Sequence, residues 1–379
     1  MHRHPRTRAR PLRAALAAAA LAALAGVCAA APLYAVTRIA PHDPRLWADI
    51  EGVALNQSGG VAGNDTPHGR PFRWSPAAGL EWLEDLPGGE EHEAHAWDIN
   101  DAGVVVGTGN IRGEHHSGKN VLRPVAWMPG TLQPRDLGEG LNPHAHEQWQ
   151  GYAYGINGAG QVSGISGPQL DSYAFMLDVD GGAPQFLGPS FYPYVINESG
   201  ATAGAGPFDR VTGRDIHQLR QPDGRRVDLP RGAFARALND AGQVAGDTDS
   251  FEAFVWSEAA GLLTLPAPAG LPRCAANGLN NLGVAIGTCS LWADRPHAIL
   301  WTPDGAGGYT AQDVRDLVPP DERRPEGCLV KPGGGTPHCF GEQGVAINDA
   351  GQLLVNERKS RHESRIDSEP LLLTPPAAR

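Results

Sequence analysis

Basic charge is scarce in this chain. Lys and Arg total 31 against 42 Asp and Glu, a formal net charge of −11 at pH 7, and past the N-terminal leader they do not gather into the basic stripe that a nucleic-acid surface requires. Nucleic acid is excluded as a partner on that ground. Long apolar runs are equally rare. Past the N-terminal leader no segment reaches the ~20 apolar residues of a membrane-spanning helix, and no anchor is expected after Leu371-Leu372-Leu373. There are five Cys and no Cys-x-x-Cys pair, so a thiolate metal site has no starting point. Common chemical signatures are missing too: no Gly-x-x-x-x-Gly-Lys phosphate cradle, no Gly-x-Ser-x-Gly elbow, no EF-hand loop and no His-Glu-x-x-His. Neither a cofactor nor a catalytic residue is read from motifs.

Turn chemistry is abundant instead. Gly 49 and Pro 33 fit an all-β protein with many turns. The organising stretch is Asn239-Asp240-Ala241-Gly242-Gln243-Val244-Ala245-Gly246. Its Asn-Asp opening, a Gly suited to positive φ and the alternating apolar run that follows predict a tight hairpin. Further copies begin at Asn56, Asn100, Asn157, Asn197, Asn280 and Asn348. Seven copies at a base period of about 40 residues mark a repeat architecture.

Each copy is preceded by a short apolar approach such as Ala96-Trp97-Asp98-Ile99 and followed by a third segment such as Pro124-Val125-Ala126-Trp127 or Ala253-Phe254-Val255-Trp256. A fourth segment comes a few residues later, as at 80–86, 132–137, 184–187, 225–229, 262–265 and 309–317. Four short strands per period predict a seven-bladed β-propeller of four-stranded blades. The seventh hairpin lacks a fourth segment after it. The alternating stretch 33–39 has no hairpin before it, so it is expected to pair with the last repeat near 371–374 and close the ring, leaving no open edge. Strand direction then puts the Asn turns and the short three-to-four linkers on one face. The insertions 87–95, 108–121, 138–151, 205–214 and 318–343 fall on the other, and long loops on a rigid scaffold are where function usually resides.

The N-terminus carries Arg3, Arg6, Arg8, Arg10 and Arg13, then an Ala/Leu run from Ala14 to Val27 and the small residues Ala29-Ala30-Ala31. This is the pattern of a secretory signal peptide. Residues 1–30 are therefore expected to be removed, leaving 31–379 as a single propeller domain, acidic, exported to the periplasm or beyond, and monomeric. No adjacent Arg pair marks a twin-Arg route, and Val27 stands where lipidation at Cys28 would need a small residue. Four Cys then remain. Cys274 and Cys289 sit symmetrically about the Asn280–Gly283 turn and Cys328 and Cys339 bracket a Gly-rich stretch. Two disulfides, 274–289 and 328–339, are expected.

Trp74, Trp127, Trp256 and Trp301 share one repeat position that Leu fills elsewhere, which reads as packing between blades. The repeated Asn reads as an Asx-type turn residue. Histidine offers the most suggestive chemistry: His92, Glu93 and His95 lie in one insertion, His115 and His116 in the next, and His144, His146 and Glu147 with Trp149 in a third. Loops of neighbouring blades can converge. Neutral His with carboxylate can bind a transition metal or serve as acid and base, whereas solvated polar loops are the bland alternative; the spacing assigns no metal ligand.

The Ile/Leu-Asn-Asp-Ala-Gly-Gln-Val hairpin, followed by Ala-Phe-Val-Trp and an Asp-Leu element, resembles the HAF family of bacterial extracellular repeats. The likeness runs from Leu33 to about Pro375. It is sharpest at 237–246 with 253–256 and at 99–107 with Ala126-Trp127, and weakest over 197–219, where the Trp is lost. Asp-Leu recurs at Asp85-Leu86, Asp136-Leu137, Asp228-Leu229 and Asp316-Leu317. The resemblance implies an exported protein and carries over no catalytic residue. The expected role is a binding module for a cell-envelope or extracellular glycan or protein. The competing classes are a secreted hydrolase or lyase using the His/Glu loops, and a structural adhesin.

Overall fold

The computed structural model describes residues 33–40, 49–66, 69–88, 94–112, 120–138, 141, 149–168, 172–211, 213–292, 295–320, 338–362 and 365–377. These residues form seven four-stranded antiparallel sheets. Blades 1 to 6 occupy residues 50–82, 95–136, 149–189, 192–228, 233–264 and 273–313. Blade 7 takes three strands from the end of the chain, His338–Ile347, Leu353–His362 and Arg365–Thr374, and its fourth, Ala35–Arg38, from the beginning. The expected closure is therefore present, in the register Ala35↔Thr374, Val36↔Leu373, Thr37↔Leu372 and Arg38↔Leu371. Ile39 N–H adds a bond to Pro370 O at 3.0 Å, and Tyr34 N–H ties the same segment to Leu317 O of blade 6 at 2.7 Å.

The core lies between blades. Trp74, Trp127, Trp256 and Trp301 are all buried, and Leu177 and Leu373 hold the same register position, but in blade 4 that position falls to Arg220 opposite Thr202, with the buried Leu219 one residue away. Two of the Trp residues also tie a blade to the end of the preceding one: Trp127 Nε1–H donates to Glu84 O and Trp301 Nε1–H to Pro266 O, both at 2.8 Å. First strands contact first strands all the way round, so the first strand of each blade is the innermost and lines a central channel.

The seven Asn turns meet at one end of that channel. Each Asn Oδ1 accepts the N–H four residues on, at 2.6–3.0 Å, which is the turn-holding role read from sequence. Each Nδ2 does something the sequence does not announce. It donates to the carbonyl of the Asn in the next blade, from Asn56 to Asn100, Asn157, Asn197, Asn239, Asn280 and Asn348, and from Asn348 back to Asn56, at 2.9–3.2 Å. The result is a closed belt of seven hydrogen bonds, with every member buried. An outer belt runs beside it through the next residue of each turn. Backbone N–H groups of Gln57, Gly158, Glu198, Asp240, Asn281 and Asp349 donate to the side chains of Asp101, Glu198, Asp240, Asn281, Asp349 and Gln57. It is interrupted where Asp101 faces Gly158, which has no side chain to offer.

Cys274 and Cys289 are register partners and are disulfide-bonded. Their symmetry about the turn survives because two irregularities cancel. Asn280 pairs across the turn with Val284 rather than Gly283, and one extra residue at Asn277 restores the count. Cys328 lies outside the described residues, as does the Cys339 side chain, so the expected 328–339 bridge does too.

Several insertions differ from the loops expected. Much of 108–121 and 205–214 is strand: Val105–Arg112 pairs with Asn120–Trp127, and Thr202–Asp209 with Arg214–Arg220. Blade 7 is likewise extended by its ten-residue strands. The Asp-Leu element of blade 6 is not strand but the 3-10 turn Val314–Leu317, capped by the Asp313 side chain.

Candidate functional site

The first strand of every blade carries one residue more than its partner strand needs. Register slips between Gly52 and Ala54, Ala96 and Asp98, Ala153 and Gly155, Pro193 and Val195, Ala235 and Ala237, Ala276 and Gly278, and Gly344 and Ala346. A β-bulge of this kind leaves the extra residue unpaired and re-aims its side chain. It always falls three residues before the Asn, at Val53, Trp97, Tyr154, Tyr194, Arg236, Asn277 and Val345. On these innermost strands Trp97, Tyr194 and Arg236 are exposed, whereas Val53 and Val345 pack against the core.

The bulge also explains the last glycine of the motif. A Cβ on Gly246 would lie 1.8 Å from Phe234 O, and one on Gly107 1.9 Å from His95 O. Gly246 thus permits a close backbone approach, while Gly242, at φ 73°, is the turn glycine. In blade 7 the arrangement is reversed: Val355 stands on the second strand and the glycine opposite is Gly344.

The bulged residues are not distributed evenly. Blades 2, 3 and 4 present Trp97, Tyr154 and Tyr194 in succession. Trp97 and Tyr154 meet edge to face at 5.9 Å and 74°, and Tyr154 and Tyr194 at 5.6 Å and 77°. Two residues nearer the decorated face, on the same side of each strand, stand His95, Tyr152, Tyr192 and Phe234. His95 is 6.4 Å from Trp97, Tyr152 stacks on Tyr154 at 5.7 Å, and Tyr192 lies 6.5 Å from Tyr194. His217, on the third strand of blade 4, continues the run from Tyr194 to Phe234 at 6.1 and 5.2 Å. An aromatic arc therefore spans four blades at the decorated-face end of the channel. Trp97 and Tyr194 are 42% and 39% exposed although their strands are the innermost of the fold, so their surfaces are open to the channel.

The arc is held in place from behind. Trp97 Nε1–H donates to Thr108 Oγ1 at 3.1 Å, and His217 Nδ1 accepts Ala235 N–H at 3.0 Å. Burial lowers the His217 pKa, which favours the neutral ring. Burial raises the phenols of Tyr152, Tyr154 and Tyr194, so they remain proton donors at neutral pH. The other half of the mouth is polar or small. Arg236 pairs with Asp247, and Asn277 Nδ2–H donates to Gly344 O at 2.8 Å.

Below the arc, Asp98 opens on a channel cavity of about 190 Å³ lined by the residues around the Asn belt. Its oxygens accept Ile99 N–H at 2.8 Å and Ile156 N–H at 2.9 Å. Burial outweighs both bonds and raises its pKa to about 7, with Glu198 adding to the rise. Other blades carry Ala, Gly or Val at this position. A second group of titratable side chains lies at the seam of blades 6 and 7. His297 Nδ1 is 2.8 Å from Asp313 Oδ2, Arg315 contacts both residues, and Arg315 Nε lies 3.3 Å from Glu342 Oε2. Glu342 and its cross-strand partner Glu357 are wholly buried. Among the described residues no group of His, Cys, Asp and Glu is arranged to hold a metal ion.

Of the residues selected from sequence, His95 is exposed and belongs to the arc. His92, Glu93, His115, His116, His144, His146 and Glu147 lie outside the described residues; Trp149 opens the first strand of blade 3, and its side chain is outside them. In the sequence Trp97 and Asp98 read as part of the apolar approach to the hairpin, and Tyr154 and Tyr194 stand at the position matching Trp97. Their signal is variability at one fixed offset from the Asn, running from Val to Trp while the preceding residue is Ala, Gly or Pro.

Neither a protein-family model nor a curated protein matches the chain. Solved structures do. A streptogramin B lyase structure superposes over 91% of this chain and 98% of its own with a TM-score of 0.51 and 10% identity. A catalytically inactive virginiamycin B lyase from Staphylococcus aureus with quinupristin covers 90% and 99% at 0.51 and 10%. An oligogalacturonate lyase in complex with manganese covers 90% and 93% at 0.51 and 14%. At such identities the likeness is one of fold, which agrees with the seven-bladed ring and says nothing of chemistry. No helix among the described residues is long and apolar enough to cross a membrane.

Proposed function

We propose that this protein is an exported binding module whose ligand sits in the decorated-face mouth of the central channel. The observation that carries the reading is the exposure of Trp97 and Tyr194, at 42% and 39%, on strands that are otherwise the innermost of the fold. A rigid ring with an aromatic wall at its mouth has the composition of a ligand seat. The closed Asn belt keeps the strands bearing that wall in fixed relation. Export rests on the leader, and the HAF-like repeat agrees with an extracellular or periplasmic setting. The ligand class is a glycan or protein of the cell envelope.

The test is capture of envelope extracts and of arrayed glycans by the immobilised mature chain. The Trp97→Ala/Tyr194→Ala double variant should lose the captured ligand while melting at an unchanged temperature. Undiminished capture by that variant would place the seat elsewhere and refute the reading.

One observation favours a second reading, a secreted hydrolase or lyase: His95, one of the residues singled out from sequence, stands beside the arc. Lyases occur among the proteins that share the fold. Release of new reducing or unsaturated ends from a polysaccharide, abolished by His95→Ala, would establish it.

A further inference from the structure

We infer that the aromatic arc is a subsite for a neutral oligosaccharide, whose successive rings lie along Trp97, Tyr154 and Tyr194. The inference rests on the reading of the channel mouth as a ligand seat and names the ligand's chemistry.

Three kinds of ligand favour aromatic walls: flat aromatic molecules, quaternary ammonium groups and sugars. The geometry separates them. A quaternary ammonium is recognised by several ring faces turned toward one point. Here consecutive rings meet edge to face, at 74° and 77°, so successive faces turn away from one another, and the run continues through His217 to Phe234 in blade 5. The wall is extended rather than boxed. Its centroid spacing of 5.6–5.9 Å between bulged residues is comparable with that of successive rings in a glycan chain. An extended series of tilted faces offers no single slot for a flat aromatic molecule.

Sugars also need polar edges satisfied. The hydroxyls of Tyr154 and Tyr194 stand at the tips of the wall, and no described residue bonds them. Because burial keeps both phenols protonated, they can donate to and accept from sugar hydroxyls. A pyranose ring presents C–H groups on its face and hydroxyls at its rim, and this wall is aromatic on its faces and phenolic at its rim.

Charge selects neutral sugars over acidic ones. An anionic sugar calls for an unpaired cation, typically a bidentate Arg. Arg236, the one cation among the bulged residues, is already paired with Asp247, and Arg214 lies over Phe234. Among the described residues, a carboxylate-bearing glycan along Trp97, Tyr154 and Tyr194 would meet the charge of Asp215 beside Tyr194, while the two cations at the arc, Arg214 and Arg236, both stand at its Phe234 end.

The experiment titrates the mature protein with neutral oligosaccharides of two to six units (gluco-, manno-, galacto-, xylo- and chito-series), with oligogalacturonate, and with choline. It follows tryptophan fluorescence and calorimetric heat. The inference expects at least one neutral series to bind, with affinity rising with chain length, and oligogalacturonate of equal length to bind weakly or not at all. Trp97→Ala should weaken that binding by about tenfold or more, and Tyr194→Phe, which keeps the ring and removes the hydroxyl, by a smaller factor. Tyr194→Phe is the control against misfolding, since it removes a single exposed oxygen.

Binding of oligogalacturonate or choline in preference to every neutral series would overturn the inference. So would silence of all neutral series at millimolar concentration. If in either case an envelope ligand is still captured and is lost in the double variant, the seat stands and only the ligand class is wrong. If capture persists in the double variant, both readings fall.

Discussion

Asn348 donates its side-chain amide to the carbonyl of Asn56 at 3.0 Å, joining residues 292 apart in the chain. Six other bonds of the same kind join neighbours in sequence order; this one closes the circle. It sits beside the strand exchange of blade 7, so the ring is fastened twice at one seam, once by a β-ladder and once by the belt.

Removing that donor should loosen the seam. Asn348→Ala deletes the bond to Asn56 O, which keeps only Gly59 N–H, and leaves the part-buried Gln352 N–H without its acceptor. The expected cost is about 2–3 kcal/mol, read as a fall in the denaturant midpoint of the mature chain.

The gap in the outer belt predicts a gain. Gly158 has a negative φ, so it needs no glycine for its conformation. A Cβ there would come within 2.8 Å of Glu198 Oε2, the end of a flexible side chain that can turn aside and keep Gly158 N–H on Oε1. Gly158→Asn supplies the missing acceptor for Asp101 N–H, as Asn281 does for Asp240. Stability should rise by about 0.5–1 kcal/mol through the new bond and the lost backbone freedom of the unfolded chain. An unchanged or lowered melting temperature would count against the belt as a source of stability.

The bridge between Cys274 and Cys289 closes a loop of sequence separation 15. On the chain-entropy account its loss costs about 3 kcal/mol. Cys274→Ala/Cys289→Ala should melt lower than the oxidised parent, and reductant should lower the parent without moving the variant.

Two carboxyls make stability pH-dependent in the same direction. Burial holds Asp98 at about 7 and Glu342 at about 8, above the 3.8 and 4.5 of free groups. At Glu342, Arg315 opposes the rise while Glu357 and Asp313 add to it. The native state therefore keeps protons that the unfolded chain releases. This contribution is complete below about pH 4 and is lost as pH rises through 7 for Asp98 and 8 for Glu342. The denaturant midpoint should fall between about pH 5 and pH 9, and Glu342→Gln should flatten the upper part of that slope.

The hairpin count, the shared blade of the two chain ends and the 274–289 bridge were legible because each is a matter of spacing along the chain. The belt was not. An Asn that opens a turn uses its Oδ1 locally, and nothing in the sequence shows that Nδ2 has another blade within reach. The arc was hidden for a related reason. Aligning repeats on what they share draws the eye to Gly242 and Val244, whereas Trp97, Tyr154 and Tyr194 stand where the repeats differ, and the bulge that aims them is a property of pairing. Glu342 and Glu357 became neighbours only through the register of two strands.

Strand Ala35–Arg38 is made before every other described strand, and its sheet partner Arg365–Thr374 is made last. Blade 7 therefore cannot be completed until the last strand is present. A chain cut short before Leu371 retains the early strand but has nothing to pair it with. Such a product would expose the unfilled edge and the apolar flank of blade 1.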